Sequence, residues 1–327
     1  MGEASRDAEK SETVVMGDRP VSANSASSPA LQAVTEALSG VAQVNAMLAP
    51  HAWVGVGGPA DLLVIAASRD VLIKAVRLAQ AHDVPWRVYG GLTNVLVPDG
   101  GLRGMIVLNR ARKMRFQDGH RLEADAGTIV VKVAREAVRR GWGGLTWAVG
   151  LPGTIGGAVV NNAGAFGGEI SNVLVHADIL TPDGTVERVD SDWFGFQYRC
   201  SKLKGAGQNW LVLGAEFQLR RGNPECLAAK AAEYTERRRR TQPPGRTLGS
   251  TFKNPPGDYA GRMIEAVGLK GARCGGIKVS EHHANFLIND QNGTAADFRA
   301  LVERVQTAVY EHFGVLLELE IELLPEP

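Results

Sequence analysis

Three cysteines in 327 residues are too few and too scattered for a disulfide framework. Cys200, Cys226 and Cys274 show no CxxC spacing, so neither a zinc site nor a redox pair is indicated. They read as free thiols, small buried side chains in a reducing compartment. An excess of one charge is lacking too. Lys and Arg number 36 against 35 Asp and Glu, a net +1, which leaves no footprint for nucleic acid. No apolar run approaches the roughly 18 residues of a membrane span, and the N-terminus has no apolar secretory core. A cytoplasmic chain without membrane or nucleic-acid partners is therefore expected. At 44% hydrophobic residues it has room for two or three cores.

Residues 1–30 are rich in Ser, Ala and charge and hold no aromatic residue, so they are expected to form a disordered tail. A mixed pattern follows. Residues 61–68 and 84–91 read as strands around a helix that aligns Leu72, Val76 and Ala79. A strand near 104–111 and a helix stopped by Gly141 come next. Residues 173–190 read as a hairpin turning at Pro182-Asp183-Gly184, and 210–222 as a further strand. Residues 226–240 form a helix whose end, Arg237 to Arg240, reads as solvated. Thr294-x-x-Asp297 opens a capped helix that closes at Gly314. Residues 315–324 alternate, with Leu317, Leu319, Ile321 and Leu323 on one face and Glu318, Glu320 and Glu322 on the other.

What stands out is glycine. Leu151 to Gly168 holds six glycines and no charge, where average usage gives about one. A second loop, Tyr89-Gly90-Gly91-Leu92-Thr93-Asn94, ends a strand. Backbone N–H groups freed by glycine can form an anion-binding concavity, so two such loops could clamp a diphosphate without a lysine. A dinucleotide fingerprint is excluded, because Gly55 to Ala60 leads into a strand rather than a helix. Other chemistry-bearing residues are scattered. Arg199 lies beside Tyr198 in an uncharged neighbourhood. Ser250 follows Gly249 without a hydrolase elbow. One strand-borne glutamate of 318, 320 and 322 could serve a cleft as an acid. His282 and His283 point to opposite faces, so no metal site is expected.

The order of five blocks resembles the MurB family, the UDP-N-acetylenolpyruvoylglucosamine reductases. The blocks are VGVGGPADLLV, YGGLTNVLV, GLPGTIGGAVVNNAGAFGGEI, YRCS, and a C-terminal set including GSTFKNP, VSEHHANFLIN and GVLLELE. The resemblance runs from about His51 to Leu324. It implies an α+β fold. A two-part FAD-binding module of the vanillyl-alcohol-oxidase type would span 31–222, divided as 31–101 and 102–222. A smaller substrate domain would span 223–327.

The resemblance also implies site residues and a reaction. FAD would bind non-covalently, since neither flavin loop holds a histidine. Its residues would be Tyr89, Gly90, Gly91, Thr93, Asn94, Gly150, Pro152, Gly153, Thr154, Gly156, Gly157, Asn162, Ala163 and Gly164. NADPH would reduce it, and hydride would then pass to C3 of the enolpyruvyl ether of UDP-N-acetylglucosamine. Ser250 would protonate C2, while Arg199 and Glu320 stabilise the enolic charge. Tyr198, Asn254 and His283 would contact the UDP-sugar. The matching pattern departs at Leu92, where a glycine is expected. Gln242 stands where one subfamily has lysine, and only Tyr234 lies between Ser201 and Gly249, so the chain resembles the subfamily without a tyrosine loop. A monomer is expected. A flavin oxidase, or an inactive module of the same fold, is the competing reading.

Overall fold

The computed structural model describes residues 28–204 and 209–327. The expected tail thus lies almost wholly outside the described residues. Its last residues do not belong to it, because Ser28 caps a helix, Pro29–Ala37, by accepting the Leu31 N–H. Proline at the first helical position suits this start, since its missing N–H would be unpaired there anyway.

The first sheet orders Ala42–Met47, Pro59–Ala66, Leu102–Asn109 and Trp86–Tyr89. The strands from Pro59 and from Trp86 run parallel to Leu102–Asn109. The crossover helix Arg69–Ala81 buries Leu72, Ala75, Val76 and Ala79. Leu102–Asn109 was expected to open the second part. It pairs in the first sheet instead, so that part extends past residue 101. Seven of its eight residues are buried, as a central parallel strand covered on both faces requires.

The second sheet orders Val186–Asp190, Leu174–Leu180, Leu211–Gln218, Arg121–Asp125 and Met114–Gln117, all antiparallel. The predicted hairpin is there: Gly184 has φ +80°, and its N–H donates to the Thr181 carbonyl. Helix Val130–Arg139 packs on this sheet. The long helix Pro224–Thr241 also belongs here, because Leu227, Ala231 and Tyr234 join the second core. The expected division at 222/223 therefore separates that helix from its packing partner. The cysteine expectation also needs correction. All three are unpaired, but none is fully buried: Cys226 is exposed on this helix, and Cys200 and Cys274 are half-buried.

A third sheet, in the order Arg246–Ser250, Phe286–Asn289, Ile277–Val279 and Arg273–Cys274, is covered by helices Ala260–Ala266 and Ala295–Phe313. The capping box of Thr294 and Asp297 and the left-handed Gly314 are both present. The alternating segment 315–324 is extended but is not one strand. It bridges Phe252 at Leu319, then leaves to pair Glu322–Leu323 with Val95–Leu96 of the first part. Its register is shared between two units, so no single sheet holds it.

The first and third units meet at a helix end. Both carboxylate oxygens of Asp99 accept N–H groups from the first turn of Ala295–Phe313, at 2.8 and 3.0 Å. These donors have no partner within the helix. Asp99→Ala is predicted to cost about 1 kcal/mol. A chemical-denaturation midpoint would fall accordingly, and an unchanged midpoint would show that water satisfies that turn equally well.

Candidate functional site

The two glycine loops face each other at the closest approach backbone allows. A Cβ on Gly90 would collide with Thr154 Oγ1, and one on Gly153, at φ +109°, would lie 3.2 Å from Thr93 Oγ1. The Arg110 guanidinium donates to the Gly90 carbonyl at 2.6 Å and braces the first loop. Leu92 stands in the left-handed region at φ +48° with its side chain 2% exposed. The position where glycine is expected does require glycine's conformation, and leucine adopts it because Leu48, Leu102 and Leu108 receive its side chain.

Among the described residues, the N–H groups of Gly91, Leu92 and Thr93 donate to no protein acceptor. Consecutive unpaired amides facing a second glycine loop form a neutral cradle suited to a diphosphate. FAD therefore fits on the donor set: the unpaired amides of Gly91 to Thr93 on one side face Gly153 and Thr154 on the other, whereas the Ile155 and Gly156 N–H groups are taken by the Thr128 and Ala126 carbonyls. Not every expected residue faces that gap. A Cβ on Gly156 would meet Ala126, so this glycine serves packing. Asn162 is buried, and its amide is spent on protein: Nδ2 donates to the Gln197 carbonyl and Oδ1 accepts from the Ser171 N–H, both at 3.1 Å. Its side chain holds the segment that carries Arg199.

Arg199 is itself left-handed, at φ +54°, inside the turn closed by Gln197 and Cys200. Ser201 Oγ anchors this turn to the Val160 carbonyl at 2.6 Å. Lys204 Nζ donates to the Arg199 carbonyl at 3.1 Å. The guanidinium reaches Glu320, Nε to Oε1 at 3.0 Å, and donates from Nη2 to the Gly164 carbonyl at 2.6 Å. Both side chains of the pair are about one-fifth exposed. Gly164 has no room for a side chain: a Cβ would lie 2.7 Å from the Gly168 carbonyl oxygen and 3.2 Å from Arg199 Nη1. Tyr198 is exposed, with its ring centroid 5.0 Å from the Arg199 guanidinium carbon.

Glu320 is fixed through its backbone. Its N–H donates to the Thr251 carbonyl at 2.9 Å, and its own carbonyl accepts from Asn94 Nδ2 at 3.1 Å. Asn94 thus ties the first flavin loop to the glutamate. Ser250 precedes Thr251 at the end of a strand that shifts register between Thr247 and Ser250, where Gly249 takes φ +82°. Such a bulge re-aims the following side chain. The segments that carry Arg199, Ser250 and Glu320 are therefore joined by the Arg199–Glu320 pair and the Glu320–Thr251 bond.

The sequence reading missed two supporting residues. Buried Asn285 clamps the backbone beyond Ser250: Oδ1 accepts the Phe252 N–H, and Nδ2 donates to the Phe252 carbonyl. Lys204 is the other. Burial, then the nearby Lys253, push its ammonium pKa down, against the pull of Glu320 and Glu322. Glu322 is still reached by solvent, yet surrounding protein raises its carboxyl pKa. Burial, then Glu322, raise the Tyr89 phenol. Asn285 sits in VSEHHANFLIN and Lys204 just beyond YRCS, so neighbourhood was the only available signal. Of the expected sugar contacts, Asn254 is exposed and accepts the Ala260 N–H at 3.1 Å. His283 accepts the Asn285 N–H through Nδ1 at 3.2 Å and packs on Phe286.

Two family models match this chain: "FAD binding domain" over residues 60–190, and "UDP-N-acetylenolpyruvoylglucosamine reductase, C-terminal domain" over 241–324. A UDP-N-acetylenolpyruvoylglucosamine reductase from Rubrobacter xylanophilus is 46% identical over 277 residues, covering 84% of this chain and 92% of its own. One from Streptococcus suis is 39% identical over 281 residues, covering 86% and 92%. The crystal structure of the reductase from Thermus caldophilus superposes with a TM-score of 0.75 at 32% identity, over 87% of this chain and 98% of that one.

Leu92→Gly separates strain from burial. Relief of the left-handed conformation is worth about 1–2 kcal/mol, while deleting a buried leucine side chain costs about 2–5 kcal/mol. Burial wins, so the variant is predicted to unfold at lower denaturant by about 1–3 kcal/mol; equal or greater stability would mean that strain dominates. His283 gives a pH prediction. Burial lowers its pKa below the ordinary 6.5, so the unfolded chain binds the proton more readily. Its share of stability is present above 6.5 and is lost as pH falls below that value. Thermal melts between about pH 7 and pH 5 should therefore fall less steeply for His283→Gln than for the parent. Parallel slopes would contradict the assignment.

Proposed function

The chain belongs to the UDP-N-acetylenolpyruvoylglucosamine reductase family, and we propose that Arg199, Ser250 and Glu320 carry its reaction. It is an FAD-dependent oxidoreductase that reduces UDP-N-acetylenolpyruvoylglucosamine in peptidoglycan synthesis. The single observation that carries the residue assignment is the Arg199–Glu320 contact, held between the flavin loop's Asn94 and the strand of Ser250.

Bound FAD supplies the hydride that adds to the enolpyruvyl double bond. The rest falls to the chain. Hydride arriving at C3 leaves negative charge at C2 and its carboxylate, which needs a fixed cation and then a proton. A guanidinium has five N–H donors. Glu320 and Gly164 each take one from Arg199, and the others are free to hold the substrate carboxylate. Glu320 fixes the plane of that guanidinium. The Ser250 hydroxyl donates the proton to C2. The unpaired amides of Gly91 to Thr93, with Gly153 and Thr154 of the facing loop, hold the FAD diphosphate. Tyr198, Asn254 and His283 meet the UDP-sugar. NADPH serves as reductant, and the enzyme works as a cytoplasmic monomer.

The yellow holoprotein is predicted to consume NADPH only when the enolpyruvyl UDP-sugar is present. Ser250→Ala is predicted to leave flavin reduction by NADPH within about twofold, and to slow reduced-flavin oxidation by the UDP-sugar about 10²–10⁴-fold. Rapid mixing measures the two half-reactions separately. Equal slowing of both would contradict the role of Ser250. Oxidation by oxygen with no dependence on the UDP-sugar would contradict the reaction itself.

A further inference from the structure

The glycine stretch from Leu151 to Gly168 ends in a hairpin with a strained tip. Gly164–Ala165 pairs with Gly168–Glu169, which leaves Phe166 and Gly167 as a two-residue turn. Both are left-handed, at φ +52° and +82°. Such a turn suits Asn-Gly, and a bulky residue at its first position is strained. The turn therefore needs a hold from outside. The Phe166 ring supplies it by stacking on Tyr234 of the helix Pro224–Thr241, with centroids 4.4 Å apart and planes 3° apart. Both rings are half-buried against the second core, and an aromatic pair of this kind adds to what burial alone contributes. The arginine run of this helix is only partly solvated as expected. Arg239 pairs with Glu236 in solvent, but Arg238 turns inward on Gly150, and its guanidinium carbon lies 5.6 Å from the Phe166 centroid.

The base of the hairpin is fixed by other contacts. The Ile170 N–H donates to the Ala163 carbonyl at 3.0 Å, and Trp147 lies against Gly168, where a Cβ would collide with the indole. Between base and tip stands Gly164, whose carbonyl accepts from Arg199 Nη2 at 2.6 Å. The strand from Gly164 is two residues long, so the tip decides where that carbonyl points. Glu320 takes Nε of the same guanidinium at 3.0 Å. A planar fork held at both atoms has one orientation, whereas a fork held at Nε alone can swing.

We propose that Tyr234 is a positioning residue for the reduction: through Phe166 it holds the hairpin tip, and through the Gly164 carbonyl it orients the Arg199 guanidinium. The proposal rests on the role of Arg199 given above. Strain of this kind persists only where surrounding structure over-determines it, and it gathers at functional sites.

The test uses holoenzyme. Tyr234→Phe keeps the ring, and Tyr234→Leu keeps apolar bulk without the stack. Flavin content and thermal midpoint are checked first. Rapid mixing then gives limiting rates and half-saturating concentrations for flavin reduction by NADPH and for reduced-flavin oxidation by the UDP-sugar. Tyr234→Leu is expected to lower the limiting rate of oxidation about tenfold or more, because small misplacements of a catalytic group carry losses of that order. Flavin reduction and both half-saturating concentrations should stay within about threefold, and Tyr234→Phe should match the parent within about twofold. Two further backgrounds separate positioning from folding. In Arg199→Lys, whose fork is already gone, Tyr234→Leu should slow oxidation by less than about a further twofold. In Phe166→Asn, whose turn holds itself, Tyr234→Leu should again slow it by less than about twofold. If Tyr234→Leu loses its flavin, Phe166→Asn should restore it, and failure to do so would show that Tyr234 serves only its own helix, against the proposal.

An unchanged oxidation rate in Tyr234→Leu would overturn the proposal. So would equal slowing of both half-reactions, a weaker half-saturation with an unchanged limiting rate, or losses that multiply in the Arg199→Lys background. Oxidation at the parent rate in Arg199→Lys itself would remove the role of Arg199 and the proposal with it.

Discussion

The site depends on one ion pair, Arg199 with Glu320. Each partner is remote from the other in sequence, and each is held by backbone rather than by side-chain packing. Arg199 needs a left-handed turn, which costs roughly 1–3 kcal/mol for a residue with a side chain. Side-chain bonds from Ser201 and Lys204, both just after it in the chain, hold it there. Glu320 needs an extended segment that no single sheet contains, and Thr251 and Asn94 hold it. A half-buried pair of this kind contributes little to stability, because desolvation offsets much of the attraction. Its worth lies in orientation, since it fixes a planar donor beside the place where charge develops.

The same pair explains why the third unit cannot be a separate appendage. Residues 315–324 leave their own sheet and end against the first flavin loop. Asp99 returns the contact by capping the helix of the third core. Asn289 adds a buried bond to the Val54 carbonyl at 3.0 Å. The first glycine loop and Glu320 are therefore tied to each other by backbone pairing.

Much of this was legible in sequence where the signal is local. The capping box at Thr294 and Asp297, the glycine stop at 314 and the turn at Gly184 each depend on a few adjacent residues, and each formed as expected. The special backbone of position 92 was also legible, although leucine fills it. What failed was partnership at a distance. The apolar strand 102–109 could join either sheet on composition alone. The helix 224–241 has a weak apolar face and gave no sign of which core it joins. Alternation in 315–324 reported which faces are buried, but not that the segment changes partner midway. At the site, motif resemblance named Arg199 and Glu320, which the fold pairs, whereas Asn285 and Lys204 act through backbone groups and burial, which leave no pattern.

A double-mutant cycle on Arg199 and Glu320 tests the central claim most directly. The rate of reduced-flavin oxidation by the UDP-sugar would be measured for Arg199→Lys, Glu320→Gln and the double variant. Groups that act as one unit are strongly non-additive, so the double variant should be about as slow as the slower single. Losses that multiply would mean that the two residues act independently, and that the contact joining the three segments does not govern the chemistry.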